Sequence, residues 1–162
     1  MAMLEVKVDG LALDMTTNSP VVILTPINLN KVLPIWIGHA EAWAIATELS
    51  GVGTKRPMTH DLLKSVITTL SARVEKVEIT ELREQTFYAQ VLLRLNGNSF
   101  TIDARPSDSI ALALKLGAPI FAEEALFNLK SSDQLPEVSN DPESLADRLR
   151  KIDPEDFGKY SL

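Results

Sequence analysis

Apolar and polar residues alternate with a period of two at the start of the chain. This predicts a strand with Leu4, Val6 and Val8 inward and Glu5, Lys7 and Asp9 outward. At Gly10 the phase shifts to Leu11 and Leu13, as a β-bulge would shift it. The runs Val21-Val22-Ile23-Leu24 and Val32-Leu33-Pro34-Ile35-Trp36-Ile37 predict two further strands. Pro26, Asn28 and Asn30 lie between them and indicate a hairpin with a longer loop. Pro34 has no amide hydrogen to give a ladder, so its strand is expected at an edge or irregular.

The period then changes to that of a helix. Ala42, Ile45, Ala46 and Leu49 share one face of a helix predicted over about residues 39–50, which Gly51 and Gly53 end. Arg56-Pro57-Met58-Thr59 leads into a second helix. Thr59 is expected to be its N-cap, Asp61 lies in its first turn, and Leu62, Leu63, Val66, Ile67 and Leu70 form its apolar stripe. Three strands follow at about 73–82, 86–95 and 99–104. In the middle one Phe87, Ala89, Val91, Leu93 and Leu95 alternate with Tyr88, Gln90 and Arg94. Asn96-Gly97 is a hairpin turn tolerant of positive φ and Glu84-Gln85 a weaker one, which together predict an antiparallel meander.

Arg105-Pro106-Ser107-Asp108 opens a third helix, with Ile110 to Leu116 apolar nearly all round. It is expected to be the central buried helix, ended by Gly117 and followed by a short strand, Pro119-Ile120-Phe121-Ala122. Residues 128–140 are polar and read as a linker. Asp141-Pro142-Glu143 then starts a helix striped by Leu145, Leu149 and Ile152. The pattern predicts an α+β fold: a mixed or antiparallel sheet with a three-stranded meander, a central apolar helix and further packing helices. Residues 1–128 form the domain, and 129–162 a linker plus a short C-terminal helical tail.

Composition narrows the class. The 162 residues are 45% hydrophobic and 23% charged, ordinary for one globular domain. The absence of cysteine excludes disulfides, a cysteine nucleophile and thiolate metal sites. The N-terminus shows no basic region followed by an apolar run, and no apolar stretch reaches the roughly 20 residues of a membrane span. The expectation is a cytoplasmic protein. A net charge of −6 argues against broad, non-specific coating of nucleic acid, but is compatible with a nuclease whose carboxylates hold a metal.

Candidate chemistry centres on the two Arg-Pro helix starts. Each offers an arginine, then a hydroxyl (Thr59 or Ser107), then an aspartate in the first turn. Free amides and the positive dipole end beside an arginine suit a phosphate, which gives Arg56, Thr59, Arg105 and Ser107 a substrate-binding role. The same residues read equally as plain caps, with Arg105 paired to Asp108. Asp103 and Asp108, with Glu41, can share Mg²⁺ or Mn²⁺, or they are a capping and a surface aspartate. His60, beside Asp61, is a candidate general base, while His39, near Glu41, matches no metal spacing. Trp36 and Trp43 either stack on bases or pack in the core. No phosphate-binding glycine loop, nucleophile elbow or His-Glu-x-x-His is present.

Several blocks together resemble the bifunctional nuclease domain family. They are Pro20-Val21-Val22-Ile23-Leu24, Leu33-Pro34-Ile35-Trp36-Ile37-Gly38 with Glu41-Ala42, Arg56-Pro57-Met58-Thr59-His60-Asp61-Leu62-Leu63, and Ile102-Asp103-Ala104-Arg105-Pro106-Ser107-Asp108-Ser109-Ile110-Ala111-Leu112-Ala113. The resemblance covers about residues 4–128. It implies a compact α+β domain, homo-oligomeric and most simply a dimer, and cleavage of both DNA and RNA. Plant members can carry a repair-protein-like motif after the domain, which the segment from Leu145 to Tyr160 does not show. Two functions follow as expectations. One is a metal-dependent nuclease with His60, Asp103 and Asp108 as catalytic residues. The other is a non-catalytic module that binds an anion or a protein.

Overall fold

The period-two segments pair into one mixed sheet. In the computed structural model, which describes residues 2–128 and the backbone of Leu149–Lys151, the strands are β1 (Met3–Asp14), β2 (Ser19–Pro26), β3 (Leu33–Trp36), β4 (Arg73–Arg83), β5 (Thr86–Leu95), β6 (Asn98–Ala104), β7 (Ile120–Glu123) and β8 (Leu149–Lys151). Their order is β3-β2-β1-β7-β4-β5-β6, with β8 on Ala12–Asp14, the opposite end of β1 from β7. Neighbours are antiparallel except β4 and β7, which run parallel. The register of β1 on β2 shifts between Val8 and Gly10. Gly10 has a φ of 156°, which a side chain would disfavour. Pro34 lies in β3, a terminal strand whose outer edge needs no donor from it.

The helices are α1 (His39–Ser50), α2 (Thr59–Thr69) and α3 (Pro106–Leu116). Pro106 occupies the first turn of α3, where its missing amide costs nothing, and Gly117 closes the helix in the left-handed conformation. Ile110, Ala111, Leu112 and Ala113 are all buried, and α3 packs against α1, α2, β4 and β5. The core continues through Val22, Leu24, Leu33, Ile45, Val77 and Ile79.

Lys115 fastens the three helices. Its buried ammonium donates to Glu48 of α1 at 2.8 Å and to Asp61 of α2 at 2.7 Å. Burial alone would lower its pKa, but the two carboxylates outweigh this and raise it above 10.5. The stabilisation is therefore complete below pH 10.5 and is lost as pH rises through the higher folded value. Lys115→Met is expected to cost about 2 kcal/mol in urea unfolding at neutral pH, less than a fully buried pair because both carboxylates stay partly solvated.

Three expectations change. Thr59 is the first residue of α2, not its cap. Met58 is the cap, and the Asp61 carboxylate accepts from its amide at 2.9 Å. Of the predicted α2 stripe only Ile67 is buried, while Leu62, Leu63, Val66 and Leu70 are exposed, as is Leu49 of α1. Residues 149–151, placed by periodicity within a helix, form β8, because the end of β1 offers open ladder positions. The remainder of that predicted helix and the linker lie outside the described residues.

Candidate functional site

The turn from β6 into α3 builds one wall of the site. Arg105 is the N-cap residue, extended at φ −71° and ψ 147°, as the residue before a proline prefers. Its carbonyl accepts from the Ser109 amide and hydroxyl, both at 3.0 Å, which fixes the first turn. The Asp108 carboxylate then folds back toward Arg105, whose Nε donates to Oδ2 at 2.8 Å. The start of α2 supplies the other wall. His60 Nε2 lies 2.9 Å from Asp108 Oδ1, joining two residues 48 positions apart.

Glu41 completes the chain of contacts from α1. Its Oε1 is 2.6 Å from an Arg105 terminal nitrogen. Gly38 makes room for that carboxylate: a Cβ there would fall 2.5 Å from Glu41 Oε2. The resulting series is Glu41–Arg105–Asp108–His60. The histidine and Glu41 side chains at its two ends are 11% and 12% exposed and the arginine between them 66%, so the series meets solvent at Arg105.

Electrostatics follow from these contacts. Burial would raise the Asp108 carboxyl, but the hydrogen bonds from Arg105 and His60 outweigh it and hold it below 3.8. Hydrogen bonding to Asp108 is also the main reason the Arg105 guanidinium is raised above its ordinary value. A depressed carboxyl contributes stability above its unfolded value, and that contribution disappears as pH falls through the lower folded one. The urea midpoint is therefore expected to drop on acidification below about pH 4, and Asp108→Asn to flatten part of that drop.

His60, Asp108 and Arg105 sit at one end of a cleft of about 460 Å³ between α2, α3 and the β5–β6 strands. Its body is apolar, lined by Leu63, Ile67, Val91, Leu93, Ile102 and Leu112, while Thr59 and Asp103 also border it. Five expected residues thus converge: Thr59, His60, Asp103, Arg105 and Asp108. Arg56 is exposed and does not line this cleft, so the two Arg-Pro turns do not contribute both arginines to one site. Ser107 is buried and faces a separate depression bordered by Trp36, Gly38 and Phe87. His39 is exposed and lies away from the cleft.

Asp61 serves Met58 and Lys115. The Trp36 indole donates to the buried Asp14 at 2.9 Å, which commits it to the fold. Trp43 borders a small depression beside His60. Glu41 reaches the site only through Arg105. Among the described residues no three His, Asp or Glu groups assemble as metal ligands. Both Asp108 oxygens and Glu41 Oε1 already face cations or the imidazole, so this arrangement does not fit the shared Asp103, Asp108 and Glu41 metal set.

The geometry can be set beside known proteins. The sequence profile of the bifunctional nuclease domain matches residues 22–134, and the chain belongs to that family. Two uncharacterised proteins from strains of Mycobacterium tuberculosis are 39% identical to it over 94% of this chain and 97% of their own length. Bifunctional nuclease 1 of Arabidopsis thaliana is 26% identical over 54% of this chain, a stretch that makes up 28% of the plant protein. Family and plant relatives together connect the chain to nucleases. Among the described residues no helix is long and apolar enough to cross a membrane.

Proposed function

We propose that the chain hydrolyses phosphodiester bonds of DNA and RNA at the cleft between α2, α3 and β6. The observation that carries this reading is the 2.9 Å contact between His60 and Asp108, made beside an exposed arginine in a member of this family. Asp108 holds one ring nitrogen of His60, which leaves Nδ1 to take a proton from water. The water oxygen bonds to phosphorus, the bond from phosphorus to the leaving sugar oxygen breaks, and solvent protonates that oxygen. Arg105, exposed beyond its two carboxylates, donates to the non-bridging phosphate oxygens. Thr59, at the cleft margin, is a further donor.

The test is degradation of single- and double-stranded DNA and RNA by the purified chain beside an identically purified Asp108→Ala variant. Loss of activity in the variant supports the site, whereas equal activity in both points to a contaminant. Running the same assay with EDTA, Mg²⁺ and Mn²⁺ reads the cofactor. Activity that survives chelation fits the base-and-clamp arrangement. Strict metal dependence abolished by Asp103→Asn assigns a cation to Asp103 and Asp108 once Arg105 withdraws.

One observation favours a second reading, a non-catalytic module that binds an anion or a protein. Glu41 and Asp108 already balance the charge of Arg105, which weakens it as a phosphate clamp. Inactive protein that binds inorganic phosphate, with binding lost in Arg105→Ala, would support this second reading.

A further inference from the structure

Arg105 borders two hollows. One is the cleft that holds His60 and Asp108, and the other is a depression of about 270 Å³ beside the start of α3. Trp36, the last residue of β3, and Phe87, near the start of β5, line this depression, and both are half-buried. The bond from Trp36 to Asp14 uses the N–H on the edge of the indole, so it fixes the ring without using its face. Thr86 and Ser107 add hydroxyls to the lining.

The depression differs from the cleft in charge. Asp103 and Asp108 border the cleft, whereas among the described residues no carboxylate borders the depression and Arg105 is its one charged residue. Ser107 is only 6% exposed, yet its hydroxyl makes no hydrogen bond among the described residues. Buried hydroxyls ordinarily have a partner, so this one is open to a ligand group. Volume decides the size of the occupant. Pockets for a whole drug-sized ligand run from roughly 300 to 1,000 Å³, so this one suits a single flat ring system. Aromatic walls, hydroxyls for a ring edge and a cation at the rim together fit a nucleobase that carries a phosphate.

From these walls and the shared arginine, we infer that the depression is a base subsite, in which Trp36 and Phe87 stack the nucleobase of the nucleotide whose phosphate lies on Arg105. The inference rests on the reading of the cleft as the phosphodiester site and names what holds the substrate beside it. Arg105 spends its Nε on Asp108 and one terminal nitrogen on Glu41, and its remaining N–H groups are left for phosphate. With the base seated on one side of that arginine, the phosphate is held toward His60 on the other. Stacking tolerates every base, since each has a π-face, which suits a site that accepts both DNA and RNA. The Ser107 hydroxyl meets the base edge. Phe87 and Ser107 are therefore positioning residues for cleavage.

The measurement is titration of the full chain with adenosine 5′-monophosphate and, separately, with ribose 5-phosphate, which has the same phosphate and no base. Binding is followed on the two indole N–H signals by NMR, with Trp43→Phe to assign them. Adenosine monophosphate is expected to bind more tightly than ribose 5-phosphate and to move the Trp36 signal. Phe87→Leu keeps apolar bulk but removes a stacking face, so it should weaken the nucleotide about tenfold and leave ribose 5-phosphate unchanged. Should Phe87→Leu fail to fold, Ser107→Ala removes only a hydroxyl and should weaken the nucleotide alone by about 2- to 10-fold. Equal affinity of the wild type for the two ligands overturns the inference, as does an unmoved Trp36 signal. The two readings fail separately. Base-dependent binding without cleavage of any polynucleotide upholds the subsite and removes the nuclease reading. Cleavage of a short oligonucleotide with the same KM in wild type and folded Phe87→Leu does the reverse.

Discussion

His60→Ala is expected to lower nucleic-acid cleavage by about 10²- to 10⁴-fold, the usual contribution of a positioned general base. The reason is geometric. His60 is buried at the first turn of α2, its Nε2 is held by Asp108 at 2.9 Å, and it lines the cleft that would receive the phosphate. Asp108→Asn keeps the shape but removes the charge that orients the imidazole and stabilises its protonated form. Because the two act as one device, the double variant should lose little more than His60→Ala alone. Single-turnover rates on a short DNA and a short RNA, measured for both single variants and the double, give that comparison. Additive losses would mean that the residues act separately. Since His60 is buried, His60→Gln and a thermal melt of each variant separate a lost base from a loosened fold.

The largest stability effect is expected at the centre of α3. Ile110 is 0% exposed in a helix that touches α1, α2, β4 and β5. Ile110→Ala removes three carbons from a site enclosed on every side, where neighbours cannot collapse inward without moving another element. The expected cost is about 2–5 kcal/mol, a large part of the roughly 5–15 kcal/mol that holds a domain folded. Urea unfolding monitored by tryptophan fluorescence measures it. A cost below about 1 kcal/mol would show that the helix is less tightly held than its burial indicates.

These two residues were unequally legible in the sequence. The apolar character from Ile110 to Leu116, interrupted only by Lys115, predicts a helix enclosed by other elements, and the burial of Ile110 agrees with that pattern. His60 was a candidate because it neighbours an aspartate at a helix start. Its actual partner is Asp108, from another helix, and Asp61 instead serves Met58 and Lys115. Glu41 was read as a metal ligand and proves to be an arginine partner. Lys115 carried no signal at all, since one lysine at the end of an apolar helix looks like any solvated charge.

What local chemistry determines is decided within a few residues of each position, and the sequence specifies it. The bulge at Gly10, the Asn96-Gly97 turn, the Pro106 start and the Gly117 stop all follow from backbone preferences that travel with the residues. So does the grouping of apolar residues onto one face of each element. Periodicity cannot say whether anything covers that face. Leu62, Val66 and Leu70 are patterned as core and lie in water, because α2 flanks α3 near the end of the sheet with nothing beyond it among the described residues. Arg56 and Arg105 share a local design, yet only Arg105 reaches the cleft. Tertiary structure decided that difference and the Glu41–Arg105–Asp108–His60 series, since each depends on where three separate helices begin in space.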